Sequence, residues 1–499
     1  MSVAAALALL LPIVPVLLLL DGTLRDAGGG RPPLTLRLAL AAGLGLGIAA
    51  CLYFVALVLF HGTPRAIAGL DGVLVLSSAG LWWVRGPLRG PARPSSPAWS
   101  ALDCLLFAIG LAWAGVSAGL FIAEVLSLPH GEMDAWMTWD MRARFLVRAG
   151  ADWRRSLAGY DGHSDYPLLL PGAIAHGWQW LGDTVQAIPI GVAAVFTAAT
   201  VMLLASAVGA LRGRTAGWLA GLCLLATPGF VRRGAWLYAD VPLSFFFLAS
   251  LALLVYWETR AAPQVGALVW AGLATGLAAW TKNEGCVLLV AVAAVYLTVA
   301  GPATHRRWRV ASTFALGAAP PLALLIYFKA TVAARPDLIE HQTVSQVLAQ
   351  AADPGRYLEI AAALGGLLVG SPSIWLLLAL PPFVALMGRT PDRTARAAAR
   401  HVAAVVGLVA AAYGAIYVTT PMPLAWHLQT SLDRLLFHLW PSALFAVFLW
   451  SASPTERDAA GGLAGRCDAT LAEQRPRPAD AREPSPVEHR GTTQALAAI

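Results

Sequence analysis

Long apolar runs alternate with short polar connections along almost the whole chain. Continuous runs occupy about residues 3–20, 36–60, 66–84, 101–128, 186–209, 214–231, 241–257, 264–281, 286–301, 310–330, 358–388, 401–420 and 435–452. Most approach or exceed the roughly 20 residues a helix needs to cross a bilayer. They are continuous rather than alternating, which argues against a membrane β-barrel. The pattern therefore predicts an all-α polytopic membrane protein with about thirteen transmembrane helices. The run at 358–388 is long and contains Gly365, Gly366, Gly370 and Pro372, so it is expected to tilt, break or re-enter. The first run lacks a basic leader and a small-residue cleavage site, and reads as a membrane helix rather than a signal peptide.

One stretch breaks the pattern. Between Pro129 and Pro171 stand Glu132, Asp134, Asp140, Asp152, Asp161 and Asp165, with His163 and the tryptophans Trp136, Trp139 and Trp153. This predicts a polar, partly helical loop over 129–185 that lies outside the bilayer, with Pro167 and Pro171 bracketing a short interfacial turn. The chain then divides into three extra hydrophobic helices over 1–100, a transmembrane body over 101–452, and a tail over 453–499. The tail is rich in Pro, Arg, Glu, Ala and Thr without apolar periodicity, and is expected to be a disordered cytoplasmic extension.

Composition sharpens this. A hydrophobic fraction of 58% with 13% charged residues and a mean hydropathy of +0.65 are not those of a soluble domain. The net charge of +7 does not imply nucleic acid, because the arginines collect in short connections. Placing Arg85, Arg89, Arg93, Arg212, Arg214, Arg306, Arg307, Arg309, Arg389, Arg393, Arg396 and Arg400 in the cytoplasm makes the alternation close. The N-terminus is then outside, the C-terminus inside, and 129–185, 231–240, 282–285, 331–357 and 421–434 outside. Arg232 and Arg233 fall outside against that rule, as noise or as ligands of an anion. Cys51, Cys104, Cys223, Cys286 and Cys467 form no CxxC, so no zinc site or disulfide framework is indicated. Lysine occurs only at Lys282 and Lys329. With the Ala, Gly and Arg richness, this is the bias of a GC-rich bacterial genome, and the expected location is a bacterial inner membrane.

The candidate chemistry lies on the outside face, where ionisable groups at helix ends are costly to keep. Asp134 has no basic residue at i+3 or i+4 and is the candidate proton acceptor, with Glu132 beside it. Asp140 is four residues before Arg144 and reads as an ordinary helix ion pair. Asp165, Tyr166, His163, Glu284 and Trp136 are candidate substrate contacts. Asp165 is equally readable as a helix cap, and so is Asp240, which is followed by Pro242. The other reading of Asp240 is a second carboxylate facing Asp134. Lys282, Arg434, Arg232 and Arg233 are candidates for holding a phosphate; snorkelling of Lys282 to the interface explains it as well. Arg434 is alternatively a partner of Asp433. His427 and His438 read as interfacial or core residues. A divalent metal is possible, but no ligand spacing singles one out.

These segments in this order, EMDAW, HSDYPLLLP, YADVPLSFF, GLAAWTKNEG and TSLDRLLFHLWP, resemble the GT-C superfamily of integral-membrane glycosyltransferases, near the dolichyl-phosphate-mannose protein mannosyltransferase and aminoarabinose transferase branch. The resemblance covers roughly residues 101–452. It implies a polyprenyl-phosphate sugar donor, an outward-facing site, and an acidic residue in the first outer loop as base or metal-positioning group, a position matched by Asp134. The extra helices over 1–100 and the short tail in place of a periplasmic domain depart from that family. The enzyme implied is an inverting hexosyl- or pentosyltransferase with an unspecified protein, lipid or glycan acceptor. A transporter or flippase of lipid-linked anions is the alternative from another class; it calls for ionisable residues within the spans and a repeat in the topology.

Overall fold

Helices stand where the apolar runs put them. The computed structural model describes residues 2–24, 31–85, 99–158, 160, 163–260, 264–299, 304–334, 342–370, 374–454 and 456–457. Helices α1 (Val3–Thr23), α2 (Leu34–Phe60), α3 (Pro64–Arg85) and α4 (Ala101–Ser127) lead to the polar stretch. There follow a π-helical turn (Ala135–Trp139), α5 (Asp140–Arg148), α6 (Trp153–Ala158) and α7 (Leu169–Leu181). The body continues with α8 (Ala187–Arg212), α9 (Arg214–Leu225), α10 (Phe230–Ala235), α11 (Asp240–Glu258), α12 (Val265–Thr281), α13 (Glu284–Val299) and α14 (Thr304–Thr331). Helices α15 (Val344–Ala351), α16 (Pro354–Gly370), α17 (Ile374–Met387), α18 (Arg393–Thr419) and α19 (Leu424–Trp450) complete it. Among the described residues, nine helices are long and apolar enough to cross a membrane, and four shorter apolar helices stand at the remaining predicted places. The one β-type pairing among them is a single bridge between Arg389 and Ser451.

The run at 358–388 is two helices, α16 and α17, in line with the expected break; Pro372 between them lies outside the described residues. Two details depart from the sequence expectations. The segment 421–434 is not a loop: α19 begins at Leu424, because Leu424, Leu428, Leu432 and Leu435 bury one continuous helical stripe. The turn between Pro167 and Pro171 is instead the start of α7, with Pro171 in the first turn, where no backbone donor is needed.

Helix α11 is the centre of the body, buried from Asp240 to Trp257. By contrast α3 and α4 bury little and present apolar faces outward, as lipid-facing helices do. Met1–Pro454 forms one compact unit. Of Thr455–Ile499 only Glu456 and Arg457 are described, so most of the tail expected at 453–499 lies outside the described residues, as do Arg89, Arg93 and Asp161.

Candidate active site

The polar ends of α4, α11, α12, α13 and α19 meet at one end of the bundle. At the other end Arg85 donates to the Gly22 carbonyl (2.9 Å), Arg212 donates to the Ser451 carbonyl (3.0 Å), and Arg214 approaches Asp103 (3.9 Å). The arginine-rich connections and the acidic clusters thus belong to opposite ends, as the charge pattern predicts.

Asp240 is the hub. It opens α11, but its side chain caps nothing; the N-cap position is Ala239, without a side-chain bond. This overturns the capping alternative. The carboxylate is fully buried and accepts from Arg434 Nε (2.8 Å), His438 Nε2 (2.9 Å) and Lys282 Nζ (3.1 Å). Arg434 and His438 are four residues apart on α19 and so reach the same carboxylate. Lys282 also pairs with Glu284 at 3.1 Å. Buried charges persist only when paired this closely.

Arg434 bridges outward. Its Nη1 donates to Asp134 Oδ2 at 2.7 Å, and its guanidinium lies 4.8 Å from the Tyr238 ring centroid. Asp134 therefore has a basic partner, 300 residues away in sequence, that no local spacing reveals. Its side chain keeps 26% exposure, against none for Asp240. The loop carrying Asp134 is pinned: Glu132 donates its backbone N–H to the Trp236 carbonyl (3.2 Å). Gly131 makes this possible with φ +72°, and a Cβ there would stand 2.4 Å from the same carbonyl oxygen. Glu132 is half-buried, and its side chain accepts only from the neighbouring Met133 N–H (3.0 Å) among the described residues.

The second loop cluster sits beside the hub. Tyr166 stacks with Trp139 (5.8 Å) and with His163 (4.8 Å), and Lys282 Nζ lies 5.8 Å from its ring centroid. Trp136 is exposed. Asp165 accepts from Asn283 Nδ2 (2.7 Å) and, again, caps no helix. Lys329 donates to Asn283 Oδ1 (2.9 Å) and to the Asp165 carbonyl (2.5 Å).

The four cations expected to hold a phosphate all have carboxylate partners here. Lys282 and Arg434 are committed to buried carboxylates, Arg232 pairs with Glu124 (3.2 Å), and Arg233 pairs with Asp433. The Arg434–Asp433 pairing is also overturned, since Arg233 takes Asp433. Arg144 does not pair with Asp140 but lies over Trp178 at 5.2 Å. Asp140 is buried, accepts from Gln186 Nε2 (3.3 Å), and leaves Oδ1 without a partner among the described residues. Burial pushes its carboxyl up to about 6, against the opposing pull of Gln186 and Arg144. Among the described residues no three of His, Cys, Asp and Glu gather as a metal site.

Sequence reasoning missed His438, Asn283 and Tyr238. The i,i+4 spacing of Arg434 and His438 was a usable signal for the first; nothing local marks the other two.

Residues 165–328 match the family model for dolichyl-phosphate-mannose-protein mannosyltransferase. The match begins at Asp165 and takes in Arg232, Arg233, Asp240, Lys282 and Glu284; Glu132, Asp134, Trp136, His163 and Arg434 lie outside it. Comparison with curated proteins and with solved structures gives no match. The match over this stretch, together with an all-helical body of membrane-crossing length, supports a GT-C superfamily membrane glycosyltransferase that draws its sugar from a polyprenyl-phosphate carrier.

Proposed function

We propose that this protein transfers a sugar from a polyprenyl-phosphate carrier to an acceptor at the outer face of the bacterial inner membrane, with inversion at the anomeric carbon. The observation that carries the reading is the pairing of Asp134 with Arg434. It ties a partly exposed carboxylate in the first polar loop to the buried hub inside the family-matched segment.

Asp134 is the base. It takes the proton of the acceptor hydroxyl or amine as the acceptor atom bonds to the anomeric carbon. The bond from that carbon to the phosphate oxygen breaks, and the electron pair leaves with the phosphate. Arg434 orients Asp134, and Asp240 with Lys282 and His438 holds Arg434 in turn. Exposed Trp136 offers a ring face to the sugar, whereas Tyr166, Asp165 and Glu284 shape the wall through their internal partners. His163 backs Tyr166 rather than reaching a ligand. The acceptor is a nucleophile presented at the membrane surface. With the arginine-rich ends in the cytoplasm, the N-terminus is outside and the C-terminus inside.

The test is incubation of purified protein with labelled polyprenyl-phosphate sugars. Release of the sugar with loss of the phosphate–sugar bond is expected. Movement of intact donor across vesicles without bond cleavage would favour the flippase instead.

A further inference from the structure

Among the described residues, two cations beside the hub have no carboxylate oxygen closer than 3.8 Å. Lys329, near the end of α14, donates to the Asp165 carbonyl (2.5 Å) and Asn283 Oδ1 (2.9 Å), with the nearest carboxylate oxygen at 3.8 Å. An ammonium has three donors, so one remains. Arg142 Nη2 donates to the next carbonyl along, that of Tyr166 (2.5 Å), and its guanidinium lies 5.9 Å from the ring of Phe328, the neighbour of Lys329. Arg142 is buried, yet its Nε and Nη1 have no partner among the described residues. Leaving such donors buried and unmade is costly, the more so for a charged group. Burial pushes the guanidinium down to about 10, so it stays charged at neutral pH. Two adjacent cations with spare donors, on successive carbonyls of one loop, are suited to a phosphate.

Below them lies an apolar crevice of about 260 Å³. Its walls are Leu289 and Val292 on α13 and Phe314, Ala315 and Leu322 on α14, floored by Leu268 of α12. It arises because α14 clasps α12 and leaves α13 apart: a Cβ at Gly317 would lie 1.8 Å from the Val269 carbonyl oxygen. Ala315 at its lip is exposed, so the crevice opens sideways. Along α14, Lys329 stands seven residues beyond Leu322, about 10 Å up the same helix.

We propose that Lys329 and Arg142 hold the phosphate of a polyprenyl phosphate whose chain lies in the crevice between α13 and α14. This rests on the transferase reading for the identity of the carrier, and commits that carrier to one side of the bundle. Lipid tails are as apolar as the crevice, so chain affinity comes from close packing alone. A long chain should therefore outbind a short one only about three- to tenfold, equivalent to roughly 0.6–1.4 kcal/mol.

The experiment titrates full-length protein, in nanodiscs of zwitterionic lipid, with undecaprenyl phosphate, with geranyl phosphate, and with phosphatidylglycerol as competitor. Lys329→Gln should weaken both prenyl phosphates by roughly 10- to 100-fold, the size of a lost charge-assisted contact, and Lys329→Arg should restore part. Ala315→Trp should remove the long-chain advantage and spare geranyl phosphate. Unchanged titrations in Lys329→Gln and Ala315→Trp would overturn the proposal, as would equal competition by phosphatidylglycerol, which would make the crevice an ordinary lipid contact. Sugar transfer is not read here. This binding pattern without any transfer would sink the transferase reading alone, and transfer without the pattern would sink this one alone.

Discussion

Asp134 and Asp240 share one arginine and are otherwise unlike. Asp240 has no exposure and accepts from Arg434, His438 and Lys282; Asp134 keeps 26% exposure and accepts from Arg434. A carboxylate saturated by buried donors is held too strongly to take a proton from a substrate, and its removal strands cations in a low-dielectric interior. A carboxylate with a single partner and an open side can receive one. Under the proposed mechanism the same residue type serves structure in one place and chemistry in another, and the difference is set by neighbours.

The largest effect that tests this contrast is on rate. Asp134→Asn should lower transfer by about 100- to 10,000-fold, the range for a lost general base, while thermal melts and donor binding stay near wild type. A variant that transfers normally would remove Asp134 from the mechanism. Asp240→Asn should act on the fold instead, costing about 3–5 kcal/mol because Lys282 and Arg434 lose their buried counter-charge. Melting in detergent reads this, and an unshifted melt would contradict the role as hub.

Asp140 sharpens the comparison through pH. Its carboxyl is raised from 3.8 to about 6 by burial, so the folded state holds the proton more tightly than the unfolded chain. The resulting stability is fully present below pH 4 and is lost as pH rises through about 6, on the order of 3 kcal/mol over that window. Asp140→Asn should flatten this part of the melting-temperature profile and leave the variant no less stable than wild type at neutral pH. A profile with the same slope in both proteins would refute it. The smallest effect is expected at Glu132, half-buried with only a neighbouring N–H as its side chain's partner among the described residues. Glu132→Gln should change stability by no more than about 0.5 kcal/mol and rate by about twofold. A loss as large as that of Asp134→Asn would move the base to Glu132.

What the chain alone determined is the layout. Apolar runs of membrane-crossing length must become helices, since lipid offers no partner for a bare backbone. The separation of arginine connections from acidic clusters was visible for the same reason: charge is excluded from the spans and survives at their ends. The polar segments that hold Asp134, Asp165, Asp240, Lys282 and Arg434 were therefore identifiable, and their common end with them. Which partner each side chain takes was not. Local spacing paired Asp140 with Arg144 and left Asp240 open between a cap of α11 and a second site carboxylate, because i,i+4 and capping rules see only one helix at a time. Tertiary packing gave Asp140 to Gln186 and brought Arg434 and His438 of α19 onto Asp240 of α11. Desolvation makes such long-range choices decisive: a buried charge must find a counter-charge wherever the fold supplies one, at whatever distance along the chain.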